Sequence, residues 1–240
     1  MDFSLFIPNM VKIWTKYWHV FLLQGLKNTL ILTCISVALG TVLGALVAML
    51  RMAKSKIVRF IASVYIEVIR GTPILLQLYV FYFVLPNVFT FLKLSPFMWV
   101  SIALCVNSAA YVSEVIRSGI QAVDKGQAEA ARSLGLSEKQ TMMKIILPQA
   151  VRNILPALGN EFIMMLKETS LASTFFLGDL MTSYNVVKGA TFLTLEPLTI
   201  VAIIYLCLTF PLSKVVEKFE KKMAKPNSYR KRKNKNGGTI

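Results

Sequence analysis

The side chains of this chain that could do chemistry are polar and charged groups set inside apolar runs. They are Glu67, Arg70, Gly71, Thr72, Pro73 and Gln77; then Asn107, Tyr111, Glu114 and Ser118; then Asn160, Glu161, Lys167, Glu168, Thr169 and Ser170. An ionisable group inside a bilayer costs roughly 2.5–3.5 kcal/mol on insertion scales, so each needs a reason. Gly71 permits a break, Thr72 is a good N-cap and Pro73 suits a first helical position. The tetrad Arg70 to Pro73 therefore writes a new helix start about 15 Å along its span, at 1.5 Å per residue. Such a start offers free N–H groups and a positive dipole end to a carboxylate. The alternative is a proline kink needed for packing, with Arg70 paired to a nearby acid.

Asn107, Tyr111, Glu114 and Ser118 recur at helical spacing and so share one face, which must look at protein or water. Glu161 and Glu168 are nearly two turns apart and also share a face, while Lys167 points elsewhere. A path for a polar solute accounts for both sets, and interhelical charge pairs are the competing account. For Glu161 the structural role has the stronger claim. Glu168, Thr169 and Ser170 favour the path.

The elements that must position these groups are membrane spans. Hydrophobic residues make up 55% of the chain and charged residues 16%, outside the range of soluble domains. Apolar stretches at about 29–50, 60–88, 97–116, 155–177 and 195–212 each approach or exceed the roughly 20 residues that cross a hydrocarbon core. The fold class is all-α, a polytopic membrane protein of about five transmembrane helices. In span one, Gly40, Gly44 and Ala48 form a small-residue stripe suited to helix packing.

The formal charge of +15 does not point to nucleic acid, because the positives flank alternate spans. Arg51, Lys54, Lys56 and Arg59 follow span one, and Lys125, Arg132, Lys139, Lys144 and Arg152 lie between spans three and four. These mark the cytoplasmic side, so the N-terminus is expected outside and the C-terminus inside. Residues 1–28 read as an amphipathic interfacial segment with Trp14, Tyr17, Trp18 and His19 as its belt, without a cleavable signal pattern. Residues 29–222 read as the transmembrane domain and 223–240 as a disordered basic tail suited to anionic lipid. Cys34, Cys105 and Cys207 lie at no metal-ligand spacing and read as packed small hydrophobes.

One polar segment stands apart, the run from Glu129 to Pro148 within a loop at 117–155. Gln127 to Leu134 favours helix, and Gly135 supplies the left-handed residue that closes it. Ser137 with Gln140 is a capping-box pattern for a second helix, expected to run to Pro148. Glu129 and Arg132 on the first helix, with low relief at Ala130 and Ala131, suit the groove of another protein; a solvated surface loop is the plainer reading.

The pattern Glu129-Ala130-Ala131, Gly135, Ile145 and Leu147-Pro148 resembles the EAA signature of permease subunits of bacterial ABC importers, with every spacing intact. The stretches YIEVIRGTPILLQLYVFYFVLP, NSAAYVSEVIRSGIQAV and NEFIMMLKETSLAS look like the polar amino acid branch of those permeases, over about residues 20–222. Glu168 stands where that pattern more often has Asp, and Phe176 where a small residue is common. The resemblance implies the type I ABC importer permease fold in the bacterial inner membrane. It implies partnership with a second permease copy or sister, a cytoplasmic ABC ATPase dimer carrying ATP and Mg, and an extracellular or periplasmic amino-acid-binding protein. It makes Glu129, Ala130, Ala131, Gly135, Leu147 and Pro148 the ATPase coupling contact. Arg70, Gly71, Thr72, Pro73, Gln77, Asn107, Tyr111, Glu114, Glu161, Glu168, Thr169 and Ser170 become the candidate substrate path. No catalytic residue, metal site or cofactor is expected in this chain, which shows no P-loop pattern. An ion-coupled secondary carrier is the alternative, since buried acids and a broken helix also serve coupling ions. A membrane anchor that recruits a partner without transport is a third.

Overall fold

A computed structural model describes residues 3–223. The basic tail expected at 223–240 lies outside the described residues from 224 onward.

The chain opens with a helix that is continuous from Phe6 to Arg51, 46 residues and about 69 Å at 1.5 Å per residue. Its parts are α1 (Phe6–His19), a π-helical turn at Val20–Leu26 and α2 (Lys27–Arg51). The segment set apart in the sequence as interfacial is thus unbroken with the first span. It is also part of the core, because Ile13 and Phe21 pack with Leu180, Val187 and Val201. The π turn sits where Gly25 passes Ser183, whose hydroxyl donates to Val20 O at 2.9 Å. The neighbouring Asn28 and Thr29 fasten the same junction, through Asn28 Nδ2 to Gly178 O at 3.1 Å and Leu180 N to Thr29 Oγ1 at 3.0 Å.

The second crossing is broken. Helix α3 (Lys56–Gly71) and the run Ile74–Val88, made of α4 (Ile74–Tyr79), a π turn and α5 (Leu85–Val88), meet at 105°. Helix α6 (Pro96–Gln121) is the third crossing and the most enclosed. Ser95 caps it, its Oγ accepting from Met98 N at 3.3 Å, and Pro96 fills the first position, where no N–H is needed. Gly40 and Gly44 of α2 lie against Ser108 and Val112 of α6, so the small-residue stripe brings these helices into close contact.

Two short helices, α7 (Lys125–Ser133) and α8 (Glu138–Thr141), precede α9 (Leu147–Glu168). The expected stop at Pro148 does not occur. A π turn at Met142–Ile146 absorbs the missing N–H, and Pro148 sits in the first turn of a helix that runs on for 22 residues. After Glu168 the backbone tightens into a 3₁₀ segment, Thr169–Phe175. The apolar pattern of the fourth span predicts helix as far as Leu177; instead Phe176 turns left-handed at φ 52°. Helix α10 (Leu180–Thr191) is capped by Asp179, which accepts from Met181 N at 2.9 Å, and α11 (Leu195–Met223) closes the bundle.

Among the described residues, three helices are long and apolar enough to cross a membrane, four crossings if the bent pair counts as one. Helix α9 has the length but carries Arg152, Glu161, Lys167 and Glu168. Its polarity is the feature that positions the site. Of the cysteines, Cys105 is packed as expected, whereas Cys34 and Cys207 are exposed.

Candidate translocation path and docking loop

The polar residues fall into two clusters around α6 and a third group on the loop. The first cluster joins α6 to α9. Glu161 is 5% exposed and accepts from Ser108 Oγ at 3.3 Å. Ser108 is fully buried, one position beyond Asn107 and on a different face. Glu168 is half-buried two turns further along, at the point where α9 becomes 3₁₀. The tightening turns Thr169 inward, its Oγ1 donating to Leu166 O at 2.8 Å, and leaves Ser170 half-buried with its carbonyl accepting from Ser173 Oγ at 2.7 Å. Among the described residues no cation lies within ion-pair distance of Glu161 or Glu168.

The second cluster joins α6 to α2, α3 and α4. Glu114 is gripped by Arg51 and Arg117 and has Arg70 Nη1 at 3.8 Å; the Arg70 guanidinium also stands 5.4 Å from the Tyr111 ring centroid. Three guanidinium groups share one carboxylate, so the cluster keeps a net positive charge. Arg70 thus has the acid partner of the packing alternative. Sequence reasoning missed Arg51 and Arg117 here. Arg51 was legible only as a topology marker, because nothing local ties it to Glu114, while Arg117 stands three residues from Glu114 on the same helix, the one signal that could have found it.

The break at Gly71 to Pro73 is held differently from the sequence expectation. Thr72 is not the N-cap of α4: its hydroxyl donates back to Val68 O at 2.8 Å, and Pro73 occupies the cap position. Gln77 staples the bend, its Nε2 lying 2.7 Å from Ile69 O, 2.9 Å from Thr72 Oγ1 and 3.2 Å from Thr72 O. Two amide hydrogens satisfy two of these at a time. Gln77 Oε1 in turn accepts from Asn107 Nδ2 at 2.9 Å. Gly71 is exposed, with nothing within 4 Å of where a Cβ would stand. Ser118, at the far end of the stripe, is exposed and donates to Val115 O at 3.1 Å.

The loop closes by the chemistry its sequence prescribes. Gly135 is left-handed at φ 84°, Leu136 N donates to Ala131 O at 3.1 Å and Gly135 N to Arg132 O at 2.9 Å, a Schellman termination of α7. Ser137 and Gln140 complete the capping box, Ser137 N to Gln140 Oε1 at 2.9 Å and Gln140 N to Ser137 Oγ at 3.3 Å. Glu129, Ala130 and Arg132 are exposed, as is Pro148, and Leu147 is half-buried. Ala131, expected on the free face, is buried at 5%. The exposed face gains Leu134 instead, 82% exposed at the elbow. Val123, Ile146, Ala150 and Ile154 form the small core that seats the loop.

Residues 40–225 match the family of binding-protein-dependent transport system inner membrane components. The arginine transport system permease protein ArtQ of Bacillus subtilis is 39% identical over 223 residues, 93% of this chain and 97% of that protein. The glutamine transport system permease protein GlnP of Escherichia coli is 36% identical over 212 residues, 88% and 97% of the two chains. Among solved structures, a chain of an amino acid ABC transporter with histidines is 43% identical with a TM-score of 0.82, covering 87% of this chain and 96% of that one. The MetNI methionine ABC transporter in an inward-facing form shares the fold at 19% identity, with a TM-score of 0.71 over 85% of this chain and 97% of that one.

Proposed function

Because the chain belongs to the family of binding-protein-dependent transport system inner membrane components, we propose that it forms the path for a polar amino acid in an ATP-driven importer. The chain is an all-helical, multi-pass membrane permease and not itself an enzyme. ATP hydrolysis, with its Mg, belongs to a partner: a cytoplasmic ABC ATPase dimer. A second copy or a sister permease completes the path, and a binding protein outside the cell delivers the solute. The relatives named for arginine and glutamine support the substrate class.

The observation that carries the reading is the docking loop. A membrane bundle has no folding need for an exposed polar helix-turn-helix whose elbow is fixed at both ends, by a Schellman turn at Gly135 and a capping box at Ser137. Glu129, Ala130, Gly135 and Leu134 form the coupling face, with Leu147 and Pro148 transmitting movement into α9. Closure of the ATPase pair shifts the loop, and α9 carries Glu161, Glu168, Thr169 and Ser170 with it. The loop lies in the cytoplasm, which puts the N-terminus outside and the C-terminus inside. Glu161 and Glu168 offer uncompensated carboxylates to a cationic or ammonium group. Arg70, Gly71, Thr72, Pro73, Gln77, Asn107, Tyr111 and Glu114 form the wall that fixes the broken crossing beside them.

The test is uptake of labelled arginine, glutamine and cystine into cells with and without this chain, under an ionophore that collapses ion gradients and spares ATP. Chain-dependent uptake that survives is expected; uptake that collapses with the gradients would instead identify an ion-coupled carrier.

A further inference from the structure

Two residues other than glycine have a left-handed backbone among the described residues, Phe176 at φ 52° and Phe192 at φ 57°. Both line the same cavity. A left-handed conformation costs a residue with a Cβ roughly 1–2 kcal/mol, and such costs gather where a site needs a particular side-chain direction. Here they hold two aromatic rings out from the backbone, Phe176 at 70% and Phe192 at 91% exposure. In the orientation proposed above, this region is the outer end of the bundle.

The cavity is about 580 Å³, within the roughly 300–1,000 Å³ of small-molecule pockets. Its lining is otherwise polar: Ser173 and Thr174 from the 3₁₀ segment, and Asn185 and Lys188 from α10. Lys188 is its cation. The Nζ stands 5.7 Å from the Tyr184 ring centroid, and no carboxylate among the described residues lies within ion-pair distance. Ser173 is hydrogen-bonded to Ser170, so this wall is the direct continuation of the turn that follows Glu168. The polar lining therefore changes sign once, from carboxylates at Glu161 and Glu168 to an unpaired ammonium at Lys188.

We propose that this cavity is an outer subsite for free α-amino acids, in which Lys188 and Asn185 take the α-carboxylate and the Phe176 and Phe192 rings close over the rest of the solute. The proposal rests on the amino acid import reading and adds a selection rule to it: a solute without a free α-carboxylate is refused before it reaches Glu168. A charge-assisted hydrogen bond from an ammonium to a carboxylate is roughly twice as strong as a neutral one, which suits Lys188 to this discrimination.

The experiment uses the full chain co-purified with its ATPase subunits in nanodiscs. Labelled arginine and labelled glutamine are displaced by the unlabelled amino acids and by their α-amides, in which an uncharged carboxamide stands in place of the carboxylate. The wild-type complex is expected to prefer acid over amide by about tenfold or more. Lys188→Gln should compress that ratio to under about threefold, Lys188→Arg should keep it, and Asn185→Ala should compress it partly. Phe192→Gly should weaken acid and amide alike while leaving the Tm unchanged or raised, because glycine is at ease at that backbone position. An unchanged ratio in Lys188→Gln, whether both affinities are kept or both fall equally, overturns the subsite. Failure of the wild-type complex to bind either labelled amino acid would instead overturn the amino acid reading itself.

Discussion

Ser108 ties the packing of the bundle to the candidate path: its hydroxyl donates to Glu161 Oε1 at 3.3 Å, and its Cβ lies 2.7 Å from where a Cβ on Gly40 would stand. Three helices, α2, α6 and α9, thus meet on one small side chain. Any side chain added at Gly40 has to move Ser108, and the Glu161 carboxylate loses its donor with it.

Gly40→Ala is therefore expected to cost both function and stability. Rotation can move the Ser108 Oγ but not its Cβ, so α2 and α6 must part slightly: the Tm should fall and ATP-driven uptake should drop. Gly44→Ala meets the Ala109 carbonyl at 2.8 Å as well as Val112, whereas the carbonyl nearest to a Cβ on Gly40, that of Cys105, is 3.3 Å away. Overpacking of this kind costs about 1–3 kcal/mol. Thermal unfolding in detergent should rank Gly44→Ala below Gly40→Ala, and the reverse order would place the tight contact elsewhere.

Glu161→Gln keeps an acceptor for Ser108 and nearly the same volume, so its stability should stay close to wild type. Glu161→Ala leaves the Ser108 hydroxyl without its partner and opens a cavity, and should cost about 2–4 kcal/mol. Glu168→Gln should alter substrate affinity or preference more than assembly. Uptake kinetics together with size-exclusion profiles of the purified complex check this. Loss of assembly in Glu168→Gln would make that acid structural.

Much of this was legible in the sequence. The closure at Gly135, the capping box at Ser137 and Gln140, and the Gly40 and Gly44 contact are local or periodic signals, and each appears in the structure where its spacing put it. What the sequence left open depends on contacts between distant segments. Ser108 is an ordinary small residue until Gly40 and Glu161 are placed beside it, and Arg51 is a topology marker until the end of α2 meets Glu114. Pro148 misled because a π turn can absorb the missing N–H that would otherwise end a helix. Thr72 misled because a threonine hydroxyl can serve the helix behind it as well as the one ahead.

The 105° bend makes Gln77 the most connected side chain of the second crossing. Gln77→Leu keeps the size but strips the donors that bridge Ile69 and Thr72 and the acceptor for Asn107, leaving the buried Asn107 amide without that partner at about 1–3 kcal/mol. Asn107→Leu alone should cost less, because Gln77 keeps its contacts with α3. The double variant should be less than additive, since each member removes the bond they share. A double-mutant cycle on thermal stability measures it, and strict additivity would mean the Gln77 to Asn107 bond is not formed.

The docking loop separates coupling from folding. At Gly135 an added Cβ would meet nothing within 4 Å, so a substitution there is opposed by φ 84° alone and not by crowding. Gly135→Asn, a residue that tolerates left-handed backbone, should couple almost normally. Gly135→Ala should cost about 1–2 kcal/mol locally, and Gly135→Asp adds a charge on the docking face and should abolish ATP-driven uptake. Leu134, 82% exposed beside it, gives the independent arm. Leu134→Ser cannot strain the elbow, yet it removes the largest apolar contact the loop offers, so it should weaken ATPase association without changing the Tm of the permease. Co-purification of the ATPase and the ATP-driven uptake rate are the two readouts. If Leu134→Ser leaves both at wild-type levels while Gly135→Asp abolishes them, the elbow works by its shape and the apolar tip is not part of the contact.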